Sequence, residues 1–427
     1  MFAQTMPPRL TVAPPCLVHA HFVRPVRSWP SMSSDDLDDP DLEDDDPYIA
    51  FRNARGSLGR WAPRMGGTRW MASDPGGRLA GAEELLASGA PPIILDNGMK
   101  VRVDGRLGEG RFGDVLLGKA DDGSSVAIKV ALRRTSQLAT EAACLRAVAG
   151  SAGFPRLLAH RPPSEERASE LLVMELLGDS VQTLWERASR RTHFSSPTVR
   201  HIGRGTLRCL RALHRAGYVH NDLKPPNVLL GAASSAAADE MHLIDFGLAT
   251  TANVVAAAGV PSSPKAARGS IDARVGSPLF ASVAAHDGFP TRPVDDLESL
   301  VYMLAFLAAG SLPWQQAAYA RVPEMKRALL RDGCAALVDS IASSRDIARD
   351  SVSSAQAREH TVEHTVERSS TADMAQALRG LWTEVTAAQQ ADNIDHVYEA
   401  CLAALEEKAD APESTDVGHA YDWHTAA

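Results

Sequence analysis

Asp222, Lys224 and Asn227 lie in one short stretch, His220-Asn221-Asp222-Leu223-Lys224-Pro225-Pro226-Asn227, and Asp245-Phe246-Gly247 begins 18 residues after Asn227. A carboxylate such as Asp222 can take the proton of an attacking hydroxyl when held about 3 Å from it. Lys224 would set a positive charge beside a phosphoryl group as charge moves to its leaving oxygen. Asn227 and Asp245 offer the hard oxygen donors that magnesium prefers. Together these types and offsets fit phosphoryl transfer, with Asp222 and Lys224 as the catalytic pair and Asn227 and Asp245 as the metal ligands. His220 is expected to pack and hydrogen-bond beneath the loop rather than to react.

Two further segments suit a nucleotide. Leu107-Gly108-Glu109-Gly110-Arg111-Phe112-Gly113-Asp114-Val115 is a G-x-G-x-x-G loop. The pattern alone also opens dinucleotide-binding helices, but here a strand follows, so Gly108, Gly110 and Gly113 are expected in a flap whose amides approach phosphates without side-chain obstruction. Val126-Ala127-Ile128-Lys129 then puts one lysine on an apolar strand. Such a lysine can be a snorkelling edge residue. Glu141, the first acid after it, falls in the next helix and is expected to pair with Lys129 and turn it toward the α- and β-phosphates.

The elements that must hold these residues follow from periodicity and punctuation. Ile93–Leu95 with Val101–Leu107, and Val115–Gly118 with Ser125–Leu132, read as strands joined by glycine-rich or Asp-Gly turns, an antiparallel sheet. Apolar residues at three- and four-residue steps predict a helix over Gln137–Val148. Another starts at Ser196-Pro197 and stops at Gly217. A small sheet followed by helices implies an α+β chain of two lobes. The apolar run from Leu300 to Ala309 is about half the length of a bilayer crossing and is read as a buried helix.

Composition bounds the rest. With 427 residues, 44% of them hydrophobic, the chain can bury a sizeable core. Its net charge of −9 is concentrated in nine acids between Asp35 and Asp46, so the remainder is near neutral and nucleic acid is not an expected partner. Five scattered cysteines without metal-like spacing are expected to be reduced thiols of an intracellular protein. Residues 1–34 lack acids and carry three arginines, a weak trace of an organelle transit segment opposed by their prolines. Residues 1–92 are expected to form a disordered tail, residues 93–177 the sheet lobe with its linker, and 178–427 the helical lobe. Within the last, a polar insertion is expected near 340–371, where His360-Thr361-Val362-Glu363 is repeated as His364-Thr365-Val366-Glu367.

The motifs resemble those of the eukaryotic protein kinase superfamily. Val173-Met174-Glu175-Leu176-Leu177-Gly178-Asp179-Ser180, Asp295-Asp296-Leu297-Glu298-Ser299-Leu300, Gly310-Ser311-Leu312-Pro313-Trp314 and Tyr421-Asp422-Trp423 further resemble the casein kinase 1 group, over roughly residues 96–424. The resemblance implies a two-lobed kinase fold: an antiparallel sheet with one main helix above a larger helical lobe. It implies a serine/threonine kinase that uses ATP and Mg2+. It also implies that Leu107, Val115 and Ala127 cover the nucleotide, Met174 is the gatekeeper, backbone groups of Glu175 and Leu177 hold adenine, Leu229 lies beneath the base and Ile244 precedes the metal-binding Asp245. Asp296 resembles the buried aspartate that braces the catalytic loop. Ala281-Ser282-Val283 resembles the group's Ser-Ile-Asn segment.

Two departures stand out. Asn221 occupies the usual arginine position, and residues 250–274 carry only Lys265, Arg268 and Arg274 as cations where the group is more basic. Protein substrates, acidic or pre-phosphorylated, a monomeric state and a cytoplasmic or nuclear location are the remaining expectations. The competing readings are a pseudokinase scaffold and a small-molecule kinase of the aminoglycoside or choline type. The first is opposed by the presence of Lys129, Asp222 and Asp245, the second by Lys224 in its Leu-Lys-Pro context.

Overall fold

The computed structural model describes residues 82–95, 97–110, 113–131, 137–163, 169–188, 193–232, 235, 237–252, 276–341, 360–389, 395–406 and 421–423. The acidic run 35–46, Cys16, the loop tip Arg111-Phe112 and residues 253–275 lie outside them.

Six strands form one antiparallel sheet: β1 (Ile93–Ile94), β2 (Lys100–Gly110), β3 (Gly113–Ala120), β4 (Ser125–Ala131), β5 (Leu157–Arg161) and β6 (Leu171–Glu175), in the order β1-β2-β3-β4-β6-β5. Period-two alternation decides what each face does. Leu116, Val126, Ile128, Val130, Leu171 and Val173 are buried in an outer cluster. Leu172 and Met174 instead join the main core, together with Leu138, Ala142 and Leu145 of helix α2 (Gln137–Ala147). Lys129 pairs with Val115 across β3 and β4, and Ala127 with Met174 across β4 and β6. The alternation thus separates Lys129 from the outer apolar face.

That outer face needs a cover, and the chain before β1 supplies it. Helix α1 (Ala82–Leu86) buries Ala82 and packs Leu85 and Leu86 on the same cluster as Ile93, Leu95 and Val101. The expected tail boundary at residue 92 is therefore corrected: structure begins by Ala82. A five-residue helix is too short to display a 3.6-residue period, which is why the pattern missed it.

The second lobe is built on α4 (Ser196–Arg215) and α6 (Pro293–Ala309); α3 (Val181–Arg187) and α5 (Val283–His286) precede them respectively, and α7 (Val322–Asp332), α8 (His360–Ala388) and α9 (Asp395–Ala404) follow. Every residue of α6 from Val294 to Ala309 is buried, as its apolar run implied. Ser195 stands at the N-cap position of α4, Pro197 sits in the first turn, and Gly217 beyond its end takes φ 85°. Tyr421, Asp422 and Trp423 return to this cap: Asp422 Oδ2 accepts the Ser195 amide at 2.7 Å, and Tyr421 stacks on His201 with centroids 4.1 Å apart. The expected polar insertion near 340–371 lies partly outside the described residues. The backbone is helical from His360, and the duplicated His-Thr-Val-Glu segment opens α8. Between His360 and Thr371 only Val362 and Val366 are apolar, too short a stripe to mark a helix in the sequence. Cys144, Cys209, Cys334 and Cys401 are buried free thiols.

Candidate active site

Between the lobes, short elements carry the chemistry-bearing side chains. The strand β7 (Tyr218–Val219) leads into the His220–Asn227 loop, which closes in a 3-10 turn over Pro225–Asn227. Strands β8 (Val228–Leu230) and β9 (Met241–Leu243) form a hairpin that delivers Asp245, and the Ile244 amide donates to Asn227 O at 3.1 Å. The chain then makes a 3-10 turn over Phe246–Leu248 and pairs β10 (Thr250–Thr251) with β7.

Lys129 Nζ lies 2.7 and 2.8 Å from the two carboxylate oxygens of Glu141 and 2.9 Å from Asp245 Oδ1. Burial would depress this ammonium, but Asp245 and then Glu141 hold it above the usual lysine range. For Asp245 the opposition of burial is outweighed by Lys129, leaving its carboxyl below the usual aspartate range. Glu141 is deeper, and there burial prevails and pushes the carboxyl up. Asp245 adopts a left-handed backbone, φ 68°, which turns its side chain to the lysine. Phe246, fully buried, is wedged between Phe154 and His220 with centroids 5.9 and 5.2 Å away.

Asp222 is held from three sides. Lys224 Nζ donates to Oδ2 at 2.6 Å, the Ser277 amide donates to Oδ1 at 2.9 Å, and Asn227 Nδ2 donates to the Asp222 carbonyl at 2.8 Å. Burial pushes the Asp222 carboxyl up against the opposing charge of Lys224. The loop itself is fixed by Asp296, whose Oδ2 accepts the His220 amide and His214 Nε2, each at 2.7 Å, and whose Oδ1 accepts the Asn221 amide at 2.9 Å. His220 packs as expected: Nε2 donates to Ile244 O at 3.0 Å, so Nδ1 accepts the Asp222 amide at 3.2 Å. Asn221, at φ 70°, donates through Nδ2 to Leu248 O (2.9 Å) and Thr250 Oγ1 (3.0 Å), and accepts from Thr291 Oγ1.

Around this centre, Leu107 is half-exposed on β2, Gly108 pairs with Val115, and Gly110 pairs with Gly113 at the tip of the hairpin. A Cβ on Gly113, at φ 151°, would lie 2.0 Å from Val130 O, so glycine is obligatory there. Met174 is buried at the end of β6, and the Glu175 amide is spent on Arg156 O at 3.0 Å. Leu177 follows in irregular chain, while Leu229 lies on β8 and bridges to Ser180. The sequence did not point to Ser277, Thr291, His214 or Tyr398, whose hydroxyl meets His214 Nδ1. Ser277 acts through its backbone amide, which leaves no trace in residue type.

Residues 101–359 match the family model described as protein kinase domain. The chain belongs to this family. The six-stranded antiparallel sheet over a helical lobe is accordingly the two-lobed α+β kinase fold. In kinases the strand lysine must engage the helix glutamate while the Asp-Phe-Gly aspartate faces the site, and Lys129, Glu141 and Asp245 stand in that relation. Among the described residues no helix is long and apolar enough to cross a membrane.

Beneath the kinase centre, Glu298 of α6 accepts the Val283 amide and the Tyr302 hydroxyl, each at 2.8 Å. Burial, and then the charge of Asp295, push Glu298 up to about 7 from its ordinary 4.5. A carboxyl raised on folding adds stability that is fully present below its unfolded value and is lost as pH rises through the folded one. The free energy of urea unfolding is therefore expected to decline between pH 5 and pH 8 by an amount that Glu298→Gln removes. An identical pH slope in both proteins would refute the assignment.

Proposed function

We propose that this kinase transfers the γ-phosphoryl of Mg-ATP to serine and threonine hydroxyls of proteins and is of the casein kinase 1 type. The observation that carries the reading is Lys129 joined at once to Glu141 and Asp245, with Asp222 held by Lys224 and the Ser277 amide. Lys129 would orient the α- and β-phosphates, and Leu107, Gly108, Gly110, Gly113, Val115 and Ala127 would cover them and the base from the sheet. Met174, the backbone of Glu175 and Leu177, Leu229 and Ile244 would frame the adenine. Asp222 accepts the proton of the acceptor hydroxyl, and Lys224 offsets charge on the transferred group.

Asn227 and Asp245 would hold magnesium. The Asn227 amide nitrogen is committed to Asp222 O, leaving the amide oxygen as its remaining donor atom, and Asp245 has spent only Oδ1 on Lys129. Two oxygen donors suit a cation that takes its other ligands from phosphate and water. When bound, the ion supplies charge neutralisation at the phosphates.

The casein kinase 1 reading is supported by Trp314, fully buried with Nε1 on Leu279 O at 2.9 Å, and by the Tyr421–Trp423 clasp on α4. Acidic or pre-phosphorylated protein acceptors, a monomeric state and a cytoplasmic or nuclear location belong to the same reading. A degenerate peptide library phosphorylated with labelled ATP tests it. Incorporation into serine and threonine with acidic preference is expected, and incorporation confined to tyrosine would overturn it.

Asn221 has a corollary. An arginine at this position would pair with a phosphorylated activation segment through its guanidinium fork, and Asn221 cannot. Its neutral amide instead ties Leu248 and Thr250 to Thr291 directly. Phosphatase treatment, or replacing Ser262, Ser263 and Ser270 by alanine, is expected to cost less than about tenfold in activity, roughly 1.4 kcal/mol in the barrier. A larger loss would make phosphorylation of residues 253–275 a true switch.

A further inference from the structure

Lys326 of α7 is completely buried. Burying an ammonium costs several kcal/mol unless its hydrogens are well used. Here Nζ donates to Ala281 O at 2.6 Å and to Pro278 O at 2.9 Å, lies 3.2 Å from His286 Nε2, and rests over the rings of Tyr302 and Trp314 at 4.8 and 5.2 Å from their centroids.

The two carbonyls belong to one turn. Phe280 and Ala281 amides both donate to Ser277 O, at 3.0 and 2.9 Å, so residues 277–281 form a compact bend. Its Leu279 carbonyl is taken by Trp314 Nε1. Three inward carbonyls are thus held from the core by Lys326 and Trp314, with His286 Nε2 also 3.2 Å from Pro278 O, and the outward group of the same bend is the Ser277 amide on Asp222 Oδ1. Just before it, Gly276 passes so close to the catalytic loop that a Cβ would lie 2.4 Å from Asn221 O. The bend is therefore clamped between the core and Asp222. Nothing in this chain of contacts touches Lys129, Glu141 or the glycine hairpin.

We propose that Lys326, assisted by Trp314, is a positioning residue for the acceptor side of phosphoryl transfer, anchoring the 277–281 bend and through the Ser277 amide the orientation of Asp222. The inference rests on Asp222 being the base. It separates two functions of one site: nucleotide binding belongs to the sheet lobe, whereas acceptor geometry depends on a lysine in the core of the other lobe.

Steady-state kinetics of full-length Lys326→Met, with a protein acceptor and ATP varied in turn, tests this at a temperature where thermal melting shows the variant folded. Expected is a fall of about tenfold or more in kcat/KM for the acceptor with KM for ATP within about twofold of wild type. Wild-type acceptor kinetics, or a KM for ATP raised by as large a factor as kcat/KM for the acceptor falls, would reduce Lys326 to a stability residue and overturn the proposal. Should Lys326→Met give no melting transition, Trp314→Phe removes the tie at Leu279 O and is expected to show the same acceptor-selective loss in smaller measure; its absence would be equally fatal. An Asp222→Asn enzyme as active as wild type would instead remove the base assignment, leaving an acceptor-selective Lys326 effect readable by itself.

Discussion

Asp245→Asn is expected to lower phosphoryl transfer by at least about 10²–10³-fold, roughly 2.7–4 kcal/mol, and Lys129→Met by a comparable factor. Both act on charge at the phosphates rather than on the fold. Asparagine tolerates the left-handed backbone that Asp245 adopts, and Lys129 keeps its two bonds to Glu141. Lys129→Met leaves Glu141 and Asp245 without their shared ammonium, and the Glu141 carboxyl, which burial already pushes up, can take a proton. Labelled-phosphate transfer beside thermal melting checks both. A soluble variant with wild-type transfer would dissolve the assignment of Lys129 and Asp245.

Asp296→Ala should be the most disruptive single change to stability. It strands three donors at once, His214 Nε2 and the amides of His220 and Asn221, around a carboxylate that is 1% exposed. Each buried donor left unpaired costs about 1–3 kcal/mol, so the sum is a large part of the roughly 5–15 kcal/mol available to a folded protein. The Asp296 carboxyl sits below the usual aspartate range because, although burial opposes ionisation, the hydrogen bond and charge of His214 outweigh it. The urea midpoint is expected to fall sharply, and the folded fraction to lose activity as well, since the released amides immediately precede Asp222. A midpoint unchanged from wild type would show that Asp296 does not brace the loop.

Much of the site was legible because its chemistry needs particular side chains at fixed offsets. Lys224 and Asn227 hydrogen-bond to Asp222, while Asp245 and Glu141 both reach Lys129, Glu141 from the helix where periodicity put it. The hairpin sheet was legible for a different reason: glycine and Asp-Gly turns punctuate alternating strands. What escaped detection was carried by backbone groups or by burial. The Ser277 amide has no residue signature, and Lys326 stands in Met325-Lys326-Arg327, a run that reads as a solvated helix face until α5 and the 277–281 bend pack on it. Helix α1 was missed for its brevity and the start of α8 for its polarity. Thr291 acts through Asn221, 70 residues away in sequence, and His214 through Asp296 and Tyr398, 82 and 184 residues away.

The central claim is that Asp222 stands where an acceptor hydroxyl gives up its proton to receive phosphate from ATP. Its most direct test is transfer from γ-labelled ATP to a protein acceptor by wild type and by Asp222→Asn, with nucleotide binding measured on both. Wild type is expected to label serine or threonine, and Asp222→Asn to do so at least about 100-fold more slowly while binding nucleotide equally well. Equal rates in the two proteins, or a wild type that binds nucleotide and transfers nothing, would contradict the account.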